Sequence, residues 1–120
     1  LWTIVETAGG VFSPLAKRTT NFDLARALEP CTWLLVAADA LGTLHDVTAT
    51  LEALRARGRS PDLVVMSASR TPDLSTGTNA GVLAELAIAH PAAVLSRGHS
   101  DLKPLARLLL SHAEASPHLR

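Results

Sequence analysis

The stretch that decides the fold is Cys31-Thr32-Trp33-Leu34-Leu35-Val36-Ala37-Ala38, followed by Asp39-Ala40-Leu41-Gly42-Thr43-Leu44-His45-Asp46. Cys31–Ala38 is a near-continuous apolar run of strand length, which reads as a strand covered on both faces. The segment after it leads into the clearest helical pattern in the chain. Over Asp46–Arg57, Val47, Leu51 and Leu54 make one apolar stripe, Asp46 opens the helix, and Gly58 stands just past its end. A buried strand that feeds an amphipathic helix is half of a parallel β–α–β unit.

The same alternation continues in both directions. Upstream, Leu1–Val5 reads as a strand that ends in the turn residues Gly9 and Gly10. Asn21–Leu28 reads as a short helix capped by Thr20 or Asn21, with Phe22, Ala25 and Leu28 on one face. Downstream, Asp62–Met66 is a short Val-rich strand, and a polar stretch runs from Ser67 to Thr78. Asn79–Ala89 reads as a helix with Val82, Leu83 and Leu86 inward, and Ala92–Leu95 as a last strand. Leu102–Ala113 reads as a last helix, capped by Ser100 or Asp101, with Pro104 tolerated in its first turn. The tail from Ser116 reads as frayed. Four apolar strands separated by helices imply an α/β fold: a mostly parallel sheet with helices on both faces. Residues 1–120 are expected to form a single partial α/β domain. Because Leu1 is not Met and the chain opens inside a strand-like run, a fragment or domain of a longer chain is expected.

Composition narrows the function classes. The 120 residues carry 11 basic and 11 acidic side chains, so no basic surplus attracts nucleic acid or an anionic membrane. Trp33–Ala38 is far too short to span a bilayer, and no signal-peptide pattern opens the chain. The single cysteine, Cys31, excludes an internal disulfide and a Cys-based metal cluster. It reads as a small core residue, and a reducing cytoplasmic location is expected.

In a parallel sheet, ligands sit beyond the carboxyl ends of the strands. Those ends carry Glu6–Gly10, Asp39–His45, Ser67–Pro72 and Ser96–His99. Glu6 precedes Thr7-Ala8-Gly9-Gly10; a carboxylate there suits Mg²⁺ on a bound nucleotide, and the glycines let N–H groups approach an anion closely. A solvated Glu beside a tight turn is the plainer alternative. Leu41-Gly42-Thr43-Leu44-His45 links a buried strand to the helix that starts at Asp46, and exposed N–H groups there could hold a carboxylate; an ordinary strand–helix loop with His45 on the surface is the preferred reading of the local pattern. Ser75-Thr76-Gly77-Thr78-Asn79 has the look of a phosphate cradle but lacks a following lysine, so a hydroxyl-rich helix start is the better reading. No G-x-x-x-x-G-K-[ST] occurs, and His45, His90, His99, His112 and His118 show no metal-binding spacing. Ser13 has no nucleophile-elbow setting.

Taken in order, Glu6-Thr7-Ala8-Gly9-Gly10, Val11-Phe12-Ser13-Pro14-Leu15, Asn21-Phe22-Asp23-Leu24, the strand Thr32–Ala37 and Leu41-Gly42-Thr43-Leu44-His45 resemble dethiobiotin synthetases. The resemblance is specific from Leu1 to Met66 and looser beyond. It implies the C-terminal half of a P-loop NTPase-like fold that works as a homodimer, with the phosphate-binding half outside these residues. It implies a ligase of biotin biosynthesis that uses ATP and Mg²⁺ to join CO₂ to 7,8-diaminononanoate. A carbamate forms on one amine, is phosphorylated, and is closed by the second amine to a ureido ring. By motif, Glu6 matches the Mg²⁺-associated carboxylate, and Gly9 and Gly10 the backbone at the reacting end of the substrate. Leu41, Gly42 and His45 match the loop that binds the distant substrate carboxylate across the dimer, while Ser67, Ser96, Arg97 and Gly98 fall to the nucleotide. Thr7 replaces a usual Gly, His45 a usual Asn, and Ser67 a base-reading Asn. With no phosphate cradle of its own, this stretch is expected to be inactive alone. The alternatives are a non-catalytic relative used for interaction or regulation, and another P-loop protein of the cobyrinate-amidotransferase or ParA-like kind.

Overall fold

The computed structural model describes residues 2–98 and 102–115. The chain divides into two compact units, residues 1–31 and 32–120.

In the first unit, β1 (Pro14–Ala16) and β2 (Thr19–Thr20) form a small antiparallel hairpin that leads directly into α1 (Asn21–Ala27). Thr20 caps α1: the Asp23 carboxylate accepts the Thr20 N–H at 2.7 Å and its hydroxyl at 2.8 Å. With the Asp23 N–H donating in return to the Thr20 side chain, this is a capping box, which satisfies donors that a helix start leaves open. Phe12 and Phe22 meet with ring centroids 5.8 Å apart, a separation typical of favourable aromatic pairs. The strand expected over Leu1–Val5 is not formed among the described residues: 2–6 join no ladder, and Trp2, Ile4 and Val5 are exposed. A β-prone run becomes a strand only when a neighbour supplies hydrogen bonds. Leu1 itself lies outside the described residues.

In the second unit, β3 (Leu34–Asp39), β4 (Leu63–Ala68) and β5 (Ala93–Leu95) pair in parallel in the order β3-β4-β5. The helices α2 (Thr43–Arg55), α3 (Asn79–Glu85) and α4 (Lys103–Ala115) flank this sheet. The α/β class read from the sequence is therefore observed, with three parallel strands rather than four among the described residues. Val47 and Leu51 of α2, Met66 of β4 and Leu83 of α3 form the core cluster, all at 4 % exposure or less. Each such side chain contributes roughly 1.5–3 kcal/mol by leaving water. Leu54, the third member of the α2 stripe, is buried too.

Several sequence expectations shift. β3 is not covered on both faces: it is a sheet edge, and Leu34, Val36 and Ala38 alternate outward while Leu35 and Ala37 pack on the core. α2 begins at Thr43, three residues before Asp46, because Gly42 takes a left-handed φ of 94° and caps it. Asp62 precedes β4 instead of opening it. Its carboxylate accepts the Trp33 N–H at 2.7 Å and an Arg59 N–H at 3.2 Å, which ties the entry of β3 to the entry of β4. Leu86 is exposed because α3 ends at Glu85. Ser100, Asp101 and the tail from Ser116 lie outside the described residues.

Candidate functional site

In the first unit, Glu6 is exposed, and among the described residues it makes no hydrogen bond or ion pair. It does not stand at a strand end as expected, since no strand precedes it among the described residues. The Gly9–Gly10 turn that follows is well defined. Gly9 has φ 77°, and a Cβ there would meet the Ser13 Oγ at 2.8 Å, so only glycine fits without a shift. Asn21, 1 % exposed, donates its side-chain amide to the carbonyls of Ala8 at 2.7 Å and Gly10 at 3.0 Å. Gly10 also accepts the Ser13 N–H at 2.9 Å. With both carbonyls held inward, no acceptor among the described residues meets the N–H groups of Gly9 and Gly10. The sequence marked Asn21 as a possible helix cap and as the start of a resembling motif; its bridge to the glycine turn becomes visible in three dimensions alone.

In the second unit, the carboxyl ends of the parallel strands gather Asp39–His45, Ser69–Asn79 and Ser96–Gly98, as this topology dictates. The centre of the arrangement is Asp39, the last residue of β3 and 4 % exposed. Its carboxylate accepts the Gly77 N–H at 2.8 Å and the Asn79 side-chain amide at 2.7 Å, and its carbonyl accepts the Thr76 hydroxyl at 3.1 Å. Ser75–Asn79 is thus a hydroxyl-rich helix start wrapped around a protein carboxylate, which takes the place a phosphate would need. The sequence reading placed Asp39 at a strand end and Asn79 in the helix start but did not join them, and it gave Asp73 no role. The available signal was an acidic residue closing an apolar run; its partners lie about forty residues on.

The Leu41–His45 turn sits on this platform. Thr43, buried in the first turn of α2, donates its hydroxyl to the Ala38 carbonyl, and its N–H reaches the Ala40 carbonyl at 3.2 Å. Leu41 is exposed, and its N–H is bound by the Asp73 carboxylate at 2.8 Å. Asp73 also accepts the Ser75 hydroxyl at 2.6 Å and the Ser75 N–H at 2.8 Å; these donors, led by the hydroxyl, hold its pKa below the ordinary carboxylate value. The N–H groups of Gly42, Leu44 and His45 meet no acceptor among the described residues, and His45 is exposed in the first helical turn. Free N–H groups at the start of a 13-residue helix favour an anion.

Of the residues assigned to nucleotide, Ser67 lies inside β4, paired with Ala38 and Leu95, and not in the loop beyond it. Ser96, Arg97 and Gly98 follow β5 and are exposed, and Arg97 donates to the Arg70 carbonyl at 2.8 Å. His99 lies outside the described residues. Among the described residues, no three His, Cys, Asp or Glu side chains converge on a metal position.

A family model described as an AAA domain matches residues 2–107, most of the chain. The chain belongs to the AAA domain family. The parallel α/β unit of this AAA domain is the P-loop NTPase-type architecture of that family. Over 112 residues the chain is 41 % identical to the ATP-dependent dethiobiotin synthetase BioD of Caulobacter vibrioides, covering 90 % of the chain and 49 % of that relative. The Frankia casuarinae protein of the same name is 39 % identical over 97 % of the chain and 49 % of its own length. The one from Anaeromyxobacter dehalogenans is 39 % identical over 77 % and 41 %. The chain spans about half the length of the curated relatives it matches. Its dethiobiotin synthetase-like character is thus established by similarity across most of this AAA domain.

Proposed function

We propose that residues 1–120 are one part of an ATP-dependent dethiobiotin synthetase, which carboxylates 7,8-diaminononanoate with CO₂ and closes the ureido ring. The observation that carries this reading is the 41 % identity to a protein of that name across 90 % of the chain. In the two glycine turns that the resemblance singled out, the N–H groups of Gly9 and Gly10 and of Gly42, Leu44 and His45 also meet no acceptor among the described residues.

In this reading the Gly9 and Gly10 N–H groups receive negative charge at the reacting end of the substrate, in the manner of an oxyanion site. Asn21 keeps the adjoining carbonyls turned away. The Gly42, Leu44 and His45 N–H groups at the start of α2 receive the distant substrate carboxylate across the dimer, and Leu41 shapes that turn. Glu6 fits Mg²⁺ as one ligand: it is exposed, unpaired among the described residues, and not part of a metal-binding cluster. Mg²⁺ commonly takes one or two carboxylates and completes its shell with phosphate oxygens and water. When bound, that ion would neutralise phosphate charge. The described residues contain no cradle for the β- and γ-phosphates of ATP, so phosphoryl transfer needs residues beyond this stretch, and the stretch alone is inactive. Ser96, Arg97 and Gly98 remain the nucleotide-facing candidates at the sheet end. A homodimer in the cytoplasm completes the reading; no helix among the described residues is long and apolar enough to cross a membrane.

The experiment is a product assay on the full gene product carrying this sequence, with ATP, Mg²⁺, bicarbonate and 7,8-diaminononanoate. Dethiobiotin formed in equal amount with ADP supports the reading. ATP-independent binding of another protein without any product would favour the non-catalytic relative.

A further inference from the structure

One contact in the second unit is not explained by packing. Asp73 is exposed, lies 32 residues from Leu41 in sequence, and still binds the Leu41 N–H at 2.8 Å. It is itself fixed from the other side: Ser75 donates its hydroxyl and N–H to Oδ1, while Oδ2 faces Leu41. The Asp73 N–H donates to the Thr76 hydroxyl at 3.0 Å, and that hydroxyl donates to the Asp39 carbonyl at 3.1 Å. A bonded path therefore runs from the buried end of β3, through residues 73–76, to Leu41. Leu41 immediately precedes Gly42, whose left-handed φ sets the direction of the first turn of α2.

We infer that Asp73 is a positioning residue: by clamping the Leu41 N–H it fixes the turn that turns the Gly42, Leu44 and His45 N–H groups toward an anionic, carboxylate-bearing ligand. The inference rests on the substrate-carboxylate reading given above and adds a residue that the glycine motif does not contain. Asp73 does not touch the ligand. The N–H it occupies precedes Gly42, and those of Gly42, Leu44 and His45 meet no acceptor among the described residues. Its lowered pKa agrees with a carboxylate surrounded by donors and holds it ionised across the working pH range.

The test uses Asp73→Ala and Asp73→Asn. Asp73 is exposed, so both variants should fold. Asn retains an oxygen that can accept the Leu41 N–H but cannot serve all the Ser75 donors at full strength. In the chain itself, Leu41 amide exchange should quicken about fivefold to tenfold in Asp73→Ala, as expected for one lost hydrogen bond, and by less in Asp73→Asn. In the full gene product, KM for 7,8-diaminononanoate should rise about fivefold to tenfold in Asp73→Ala with kcat nearly unchanged, and Asp73→Asn should restore most of the loss. Unchanged Leu41 exchange overturns the inference. So does an unchanged KM, which would make the contact merely structural, or a lowered KM, which would make Asp73 a competitor of the ligand. A wild-type protein that forms no dethiobiotin overturns the proposed function instead, and Leu41 exchange then decides the clamp by itself.

Discussion

Replacing Asp39 probes the platform on which the second unit's turns are built. Asp39→Ala removes the acceptor of two hydrogen bonds, from the Gly77 N–H and the Asn79 amide, at a position 4 % exposed. Hydrogen bonds to a charged group contribute about 1.5–3 kcal/mol each, and a donor left buried without a partner adds a further penalty. Part of this is recovered, because the Asn79 amide also lies 3.2 Å from the Ser75 hydroxyl and 3.4 Å from the Ala40 carbonyl. The net loss should be about 3 kcal/mol. Asp39→Asn should cost less, about 1–2 kcal/mol, since one oxygen persists but the new NH₂ group must face a donor. Urea titration followed by circular dichroism measures both, read as a fall in midpoint at constant slope. A loss under about 1 kcal/mol for Asp39→Ala would refute the reasoning and mean that the Ser75–Asn79 start stands without its carboxylate.

Other perturbations follow from the same geometry. Asn21→Ala removes both bonds that hold the Gly9 turn and should cost about 2 kcal/mol in the first unit, read by thermal melting. Leu83→Ala, at a fully buried core position, should cost about 2–5 kcal/mol by the same urea assay. Asp73 has a depressed folded pKa, so its contribution is present above the ordinary carboxylate value near 4 and is lost as pH falls through the lower folded value. Leu41 amide protection should therefore persist at about pH 4 and fade only below it. Loss beginning near pH 5 would contradict the assigned donors.

Hydrophobic pattern made the second unit legible because its strands and helices bury their own stripes: Val47, Leu51 and Leu54 on α2, and Val64–Met66 in β4, are where periodicity puts them. It failed where an element depends on something other than its own pattern. Leu1–Val5 has strand composition but no ladder among the described residues, and β3 looks fully apolar although half of it faces outward at a sheet edge. The helix start at Thr43 turned on a left-handed Gly42, which outranked the acidic cap signal of Asp46. The glycine turns could be picked out by motif, whereas their supports could not. Asn21, Asp39 and Asp73 act through contacts 11 to 40 residues away, and no local spacing announces them.

The central claim is that this AAA domain belongs to a dethiobiotin-forming enzyme whose Glu6 assists at the metal. The most direct measurement compares dethiobiotin formation by the full gene product in wild type and Glu6→Gln, at saturating ATP, Mg²⁺, bicarbonate and 7,8-diaminononanoate. The account predicts dethiobiotin and ADP in equal amounts from the wild type, and a rate about a hundredfold lower in Glu6→Gln, as expected when about 3 kcal/mol of metal-borne charge stabilisation is lost. No dethiobiotin from the wild type, or an undiminished rate in Glu6→Gln, would contradict it.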